Sequence, residues 1–88
     1  MRRSVNRWEY KVILECLLSV RKKAKLTQVE LAAKLQWSQP YLSSVERGYR
    51  RADLLQIADY LKACGSSFGQ LGRMIDDGIE RGRAKPKR

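Results

Sequence analysis

The chain contains no histidine and only two cysteines. The first absence excludes histidine-assisted catalysis and most kinds of zinc site. Cys16 and Cys64 stand far apart with no C-x-x-C pair, each at an apolar position of a helical pattern. Both therefore read as buried structural thiols, and neither a metal nor a cofactor is expected. A glycine-rich phosphate loop is also missing, and the only adjacent acidic pair, Asp76-Asp77, sits beside Gly78 near an expected helix end. No enzyme activity is expected. Apolar runs reach only three residues, as in Val12-Ile13-Leu14, so no segment is long enough to span a bilayer. The basic start, Met1 to Trp8, has no apolar stretch behind it and is not a signal peptide. A reducing cytoplasm is the expected setting.

Acidic residues are scarce as well: nine Asp and Glu face nineteen Lys and Arg, a net charge of +10 over 88 residues. That length makes one small domain, and 43% hydrophobic content is enough for a modest core. The charge is uneven. Arg2, Arg3 and Arg7 give residues 1–7 a net +3. Arg81, Arg83, Lys85, Lys87 and Arg88 against Glu80 give residues 79–88 a net +4. The organisation expected is a basic arm over 1–7, a folded body over 8–78 and a basic disordered tail over 79–88. Two basic ends on a mildly basic body suit a polyanion.

The body reads as five short helices. Ile13, Cys16, Leu17, Val20 and Ala24 recur with helical spacing and place helix 1 at about 8–24, with cations in its last turn. Thr27 and Glu30 form a capping box that opens helix 2, from about Gln28 to Leu35. Ser38 is the next N-cap and Pro40 fits the first turn, so helix 3 runs over about 39–47 and stops at Gly48. Leu54, Ile57, Ala58 and Leu61 mark helix 4 at about 52–63, ended by Gly65. Ser67 to Gln70 is a second capping-box pattern opening a weaker helix 5, whose apolar side is Phe68, Leu71 and Ile75. The outer side of helix 3 carries Gln39, Tyr41, Ser43, Ser44 and Arg47, nearly all uncharged. Amide and hydroxyl side chains suit base edges, which both donate and accept hydrogen bonds.

The run Leu26-Thr27-Gln28-Val29-Glu30-Leu31-Ala32, followed by Ser38-Gln39-Pro40-Tyr41-Leu42-Ser43-Ser44-Val45-Glu46-Arg47-Gly48, resembles the lambda-repressor-like helix-turn-helix family of the Cro or XRE type. The likeness extends over roughly residues 12–65. It implies an all-α, five-helix domain that binds double-stranded DNA, usually as a homodimer. By that resemblance Gln39, Tyr41, Ser43 and Ser44 face bases, while Thr27, Gln28, Arg47, Arg50 and Arg51 meet phosphates. Arg21 and Glu46 correspond to an ion pair that orients helix 3. Two positions depart from the family pattern. Gln36 stands where glycine is frequent, so either a left-handed turn strains it mildly or the turn is set differently. Trp37 replaces a smaller aliphatic residue and reads as core packing.

The function expected is a sequence-specific repressor on a palindromic operator, in the cytoplasm of a prokaryotic cell and associated with the nucleoid. The alternative is an antitoxin that binds a toxin protein through helix 5 or the basic tail and regulates its own promoter. A third reading is a non-specific polyanion binder driven by the tails. Phe68, Leu71, Met74 and Ile75 of helix 5 are the candidate dimer surface, the alternative being that they only close the core of the monomer. No membrane partner is expected.

Overall fold

The computed structural model describes residues 7–84. The elements are α1 (Trp8–Lys23), α2 (Gln28–Leu35), α3 (Gln39–Glu46), α4 (Leu54–Ala63) and α5 (Phe68–Ala84). No strand occurs among the described residues, and none of their helices is long and apolar enough to cross a membrane. The residues Met1 to Asn6 of the expected arm and 85–88 of the expected tail lie outside the described residues.

Side-chain caps start most of the helices. Thr27 Oγ1 accepts from the Glu30 amide at 3.1 Å and Glu30 Oε1 accepts from the Thr27 amide at 2.9 Å. Ser38 caps α3 by accepting from the Tyr41 amide. A third cap was not anticipated: Asp53 and Gln56 form a reciprocal box that starts α4 at Leu54, two residues later than the sequence pattern places it. The box expected at α5 is half made. Ser67 Oγ accepts from the Gln70 amide, but the Gln70 side chain accepts from the Ser66 hydroxyl instead of the Ser67 amide.

Helices α1 to α4 end alike. In each, two consecutive amides fold back onto carbonyls of the last turn around one residue of positive φ, so two otherwise unpaired carbonyls are satisfied. At α3 and α4 that residue is Gly48 (φ 85°) or Gly65 (φ 73°); at α1 and α2 it is Lys25 (φ 60°) or Gln36 (φ 59°). Of the two settings open at Gln36 the left-handed turn is the one present, and the paired hydrogen bonds from Gln36 and Trp37 offset a strain of roughly 1 kcal/mol.

The core is built from Leu17 and Val20 of α1, Leu31 and Ala32 of α2, Leu42 of α3, Tyr60 and Leu61 of α4, and Leu71 of α5, with Cys16 at its edge. Trp37 packs against this cluster. Three expected core positions need correction. On α1 it is Leu14 that is buried, while Ile13 and Ala24 are only half-buried. On α4, Leu54 is 77% exposed and Tyr60 is fully enclosed, because the first turn of α4 precedes the point where Ile57 reaches the core.

The largest correction concerns residues 79–84, expected to be disordered. They continue α5 to Ala84. The reason is tertiary packing along α1, which outweighs the poor helix propensity of four glycines. Gly78 lies against Val12 and Gly82 against the ring of Trp8, and neither site has room for a side chain. The four-residue spacing on α5 thus matches the four-residue spacing of Trp8 and Val12 on α1.

Alanine substitution should therefore shift stability in opposite directions at two glycines of one helix. A Cβ at Gly72 meets nothing within 4 Å, so Gly72→Ala should add about 1 kcal/mol through helix propensity. At Gly78 a Cβ would lie 2.6 Å from Val12 Cγ1, and overpacking of about 1–3 kcal/mol should leave Gly78→Ala less stable than wild type. Thermal unfolding of both variants checks this; a rise in both would refute the close α1–α5 contact.

Candidate nucleic-acid interface

Burial divides α3 cleanly. Leu42, Val45 and Glu46 turn inward, whereas Gln39, Pro40 and Arg47 are exposed and Ser43 and Ser44 half-exposed on the opposite side. Three residues, Gln36 to Ser38, join α2 to α3. The outward side of α3 is therefore a short polar strip ahead of the basic loop that leads into α4.

Glu46 is the only buried charged side chain among the described residues, at 3% exposure. Arg21 grips it side-on: Nε donates to Oε2 at 2.8 Å and Nη2 to Oε1 at 3.1 Å. The remaining Arg21 nitrogen, Nη1, donates to the Leu26 carbonyl. Gln28 Nε2 donates to Glu46 Oε1 at 2.9 Å. Tyr60 Oη lies 2.7 Å from Glu46 Oε2 and 2.9 Å from the Leu17 carbonyl, with its single hydrogen available to one of the two acceptors. The carboxylate thus faces four polar atoms from three side chains. No buried side-chain nitrogen or oxygen among the described residues is left without a partner.

Burial pushes the Glu46 carboxyl upward, but hydrogen bonds from Arg21, Gln28 and Tyr60 outweigh it and hold the group below the usual carboxylate range. Burial, reinforced by the adjacent carboxylate, drives the Tyr60 phenol far above its ordinary value, so it stays protonated and remains a donor. Cys16 and Cys64 are both free, and burial raises both thiols.

The network reaches the surface through Gln28. Its Oε1 accepts from Gln39 Nε2 at 2.7 Å, so the first side chain of α3 is tied through Gln28 to the buried pair. A carboxamide has two N–H groups and one acceptor oxygen. With one N–H committed, Gln39 keeps an N–H and its Oε1 free, the donor–acceptor set that pairs with adenine N7 and N6. Gln28 likewise keeps one N–H.

Three of the expected phosphate contacts, Arg47, Arg50 and Arg51, cluster near the far end of α3, while Thr27 and Gln28 stand at the start of α2. The amides of Tyr49 and Arg50 both bond the Ser44 carbonyl and pin this loop to the helix. The guanidiniums of Arg47, Arg50 and Arg51 lie over the rings of Tyr49, Tyr41 and Tyr10 at 5.1, 5.9 and 5.4 Å. Tyr41 itself is half-buried: Trp37 meets it edge-to-face at 5.2 Å, and its hydroxyl donates to Gln56 Oε1 at 3.3 Å. Its hydroxyl is thus engaged with α4. Thr27 uses its oxygen in the α2 cap and retains its hydroxyl hydrogen as a donor.

Sequence reasoning did not single out Tyr60, Tyr10, Tyr49 or the Asp53–Gln56 cap. The cap was legible as Asp-x-x-Gln; the contacts of Tyr60 and Tyr10 join distant parts of the chain and had no local signal.

Two short helices, a tight connection and a second helix with an outward polar strip define a helix-turn-helix. A family model described as Helix-turn-helix matches residues 17–71, which takes in α2, α3 and α4 whole. The chain belongs to this family, the XRE or lambda-repressor-like type, a family of DNA-binding transcriptional regulators. No curated protein and no solved structure matches the chain.

Removing one partner of the buried pair should cost far more than a surface ion pair. Glu46→Gln should lose about 3–5 kcal/mol, and Tyr60→Phe about 1.5–3 kcal/mol, in chemical denaturation. A loss under about 1 kcal/mol for Glu46→Gln would place the carboxylate in solvent. The pH dependence follows from the lowered pKa. The Glu46 contribution is present above the unfolded value of about 4.5 and disappears as pH falls through the lower folded value. Denaturation curves in this acidic range should show that loss in wild type and a flatter profile in Glu46→Gln.

Proposed function

We propose that the protein is a transcriptional repressor that binds a palindromic DNA operator as a homodimer, with α3 in the major groove. The observation that carries the reading is the hydrogen-bonded line from Glu46 through Gln28 to Gln39. It holds a neutral amide at the start of α3 with one donor and one acceptor to spare. Gln39 pairs with a base edge, adenine being the simplest match, while Ser43 and Ser44 meet the following bases or flanking phosphates. Thr27 and Gln28, at the positive end of α2, donate to one phosphate group. Arg47, Arg50 and Arg51 contact the backbone beyond the other end of α3. Repression follows from occluding a promoter.

The second copy is assigned to a different surface from the one expected. Leu71 lies in the chain's own core, and Met74 and Ile75 pack against it, leaving only Phe68 of that set exposed, at 48%. Leu54 and Leu55, at 77% and 71% exposure, are the more open pair, immediately after the basic loop.

Selection from a randomised duplex pool at near-physiological salt should enrich inverted half-sites about one helical turn apart. On the selected duplex, Gln39→Ala should lose about 1–3 kcal/mol and relax preference at one base position. Arg50→Ala should weaken selected and random duplexes alike and lower the log–log salt slope by roughly 0.9. Retention without enrichment, lost as salt rises, would leave only non-specific binding. A third variant addresses the dimer: Leu54→Ser with Leu55→Ser should leave single half-site binding intact and abolish cooperative occupancy of the pair. Unchanged cooperativity would remove these leucines from the interface.

A further inference from the structure

Arginines 47, 50 and 51 fall within five residues, and each lies over a tyrosine ring. The three pairs are not equivalent. Arg47 and Tyr49 are near neighbours in sequence and both exposed, so neither anchors the other. The other two rings are half-buried on helices. Tyr41 is held by Trp37 and Gln56, and Tyr10 stands on the first turn of α1, far from Arg51 in sequence.

The mode of contact matters. A carboxylate partner engages the in-plane N–H groups of a guanidinium, the same groups that would meet a phosphate. A ring beneath the guanidinium attracts its face and leaves those N–H groups free. Arg50 and Arg51 are in no ion pair among the described residues; the two present are Arg7–Glu9 and Arg21–Glu46.

We propose that Tyr10 and Tyr41 are positioning residues of the DNA-backbone contact: their rings hold Arg51 and Arg50 extended, with their donors open, before DNA arrives. The inference rests on the DNA-binding reading above and adds α1 to the interface through Tyr10. The advantage is entropic. A free arginine loses rotamer freedom when it docks, and a guanidinium already seated on a ring has less to lose.

Tyr10 is the better test, because changes at Tyr41 also disturb Trp37 and Gln56. The probe is a random-sequence DNA duplex, since backbone contact needs no operator. Dissociation constants are measured over a salt series for wild type, Tyr10→Leu, Tyr10→Phe, Arg51→Ala and the Arg51→Ala/Tyr10→Leu double variant, with a thermal melt of each. Arg51→Ala should weaken binding and lower the salt slope by about 0.9, one lost phosphate contact. Tyr10→Leu should weaken binding about three- to ten-fold with the slope unchanged, because Arg51 still reaches the phosphate once bound. Tyr10→Phe, which keeps the ring, should bind as wild type, and Tyr10→Leu should have no further effect in the Arg51→Ala background.

Equal weakening by Leu and Phe, or a Tyr10→Leu loss that persists without Arg51, would show that Tyr10 acts through the fold and would overturn the proposal. Wild-type affinity in Tyr10→Leu would overturn it too. Unchanged binding in Arg51→Ala would end the inference while leaving the DNA-binding reading in place. Absence of duplex binding by wild type would end both.

Discussion

The carboxylate of Glu46 is the constraint on which the arrangement of the first four helices depends. One side chain from each meets there: Arg21 from α1, Gln28 from α2, Glu46 from α3 and Tyr60 from α4. Removing a carboxylate from water costs several kcal/mol, and the cost is met only when its lone pairs are bonded and the geometry is good. Both conditions hold here, with each oxygen facing two neighbours. A well-packed apolar cluster could hold four helices together with comparable stability. It could not supply an acceptor for Gln28, and without that acceptor the Gln28 amide would have no fixed orientation to pass to Gln39. The buried charge thus sets the direction of hydrogen bonds as well as the packing of helices.

Much of this was legible because its signals are local. The starts of α2 and α3 follow from Thr27, Glu30 and Ser38, and the end of α3 from Gly48, each acting within one turn of its own position. Turns at Lys25 and Gln36 carry no such mark, since neither residue favours positive φ; the amides that follow them hold the conformation in place. Periodicity found α4 but not its depth. Leu54, Ile57 and Leu61 share one helical phase, and nothing in that phase says that the core begins only at the second turn. Tyr60 was passed over for the same reason: a tyrosine beside a leucine stripe gives no sign that its hydroxyl will meet a carboxylate from another helix.

The end of α5 differs from expectation for another reason. Glycine weakens a helix, and on propensity alone a glycine-containing segment so rich in charge should fray. At Gly78 and Gly82 the missing side chain is instead what lets the helix lie close to Val12 and Trp8. The sequence did contain a hint in the shared four-residue spacing on α1 and α5. Only the antiparallel pairing of the two helices turns that spacing into a contact, and such pairing is a property of the assembled fold.

The polar surface divides two physical tasks between different residue types. Along the outward side of α3 the groups are neutral, apart from Arg47 at the end, so contacts made there depend on hydrogen-bond pattern and respond weakly to ionic strength. The cations stand at the margin, in the loop before α4; in the proposed complex they displace a polyanion's counterions, and affinity through such contacts falls steeply with salt. The Gln39–Gln28–Glu46 line fixes the first group, and the tyrosine rings accompany the second. A net charge of +10 supplies attraction to any duplex, so discrimination must come from contacts that fail on the wrong bases. A held amide serves that purpose better than a mobile one, because it cannot swing aside to find another partner when the base is wrong. On the proposed reading the buried ion pair is therefore as much a part of sequence discrimination as the residues assigned to the groove.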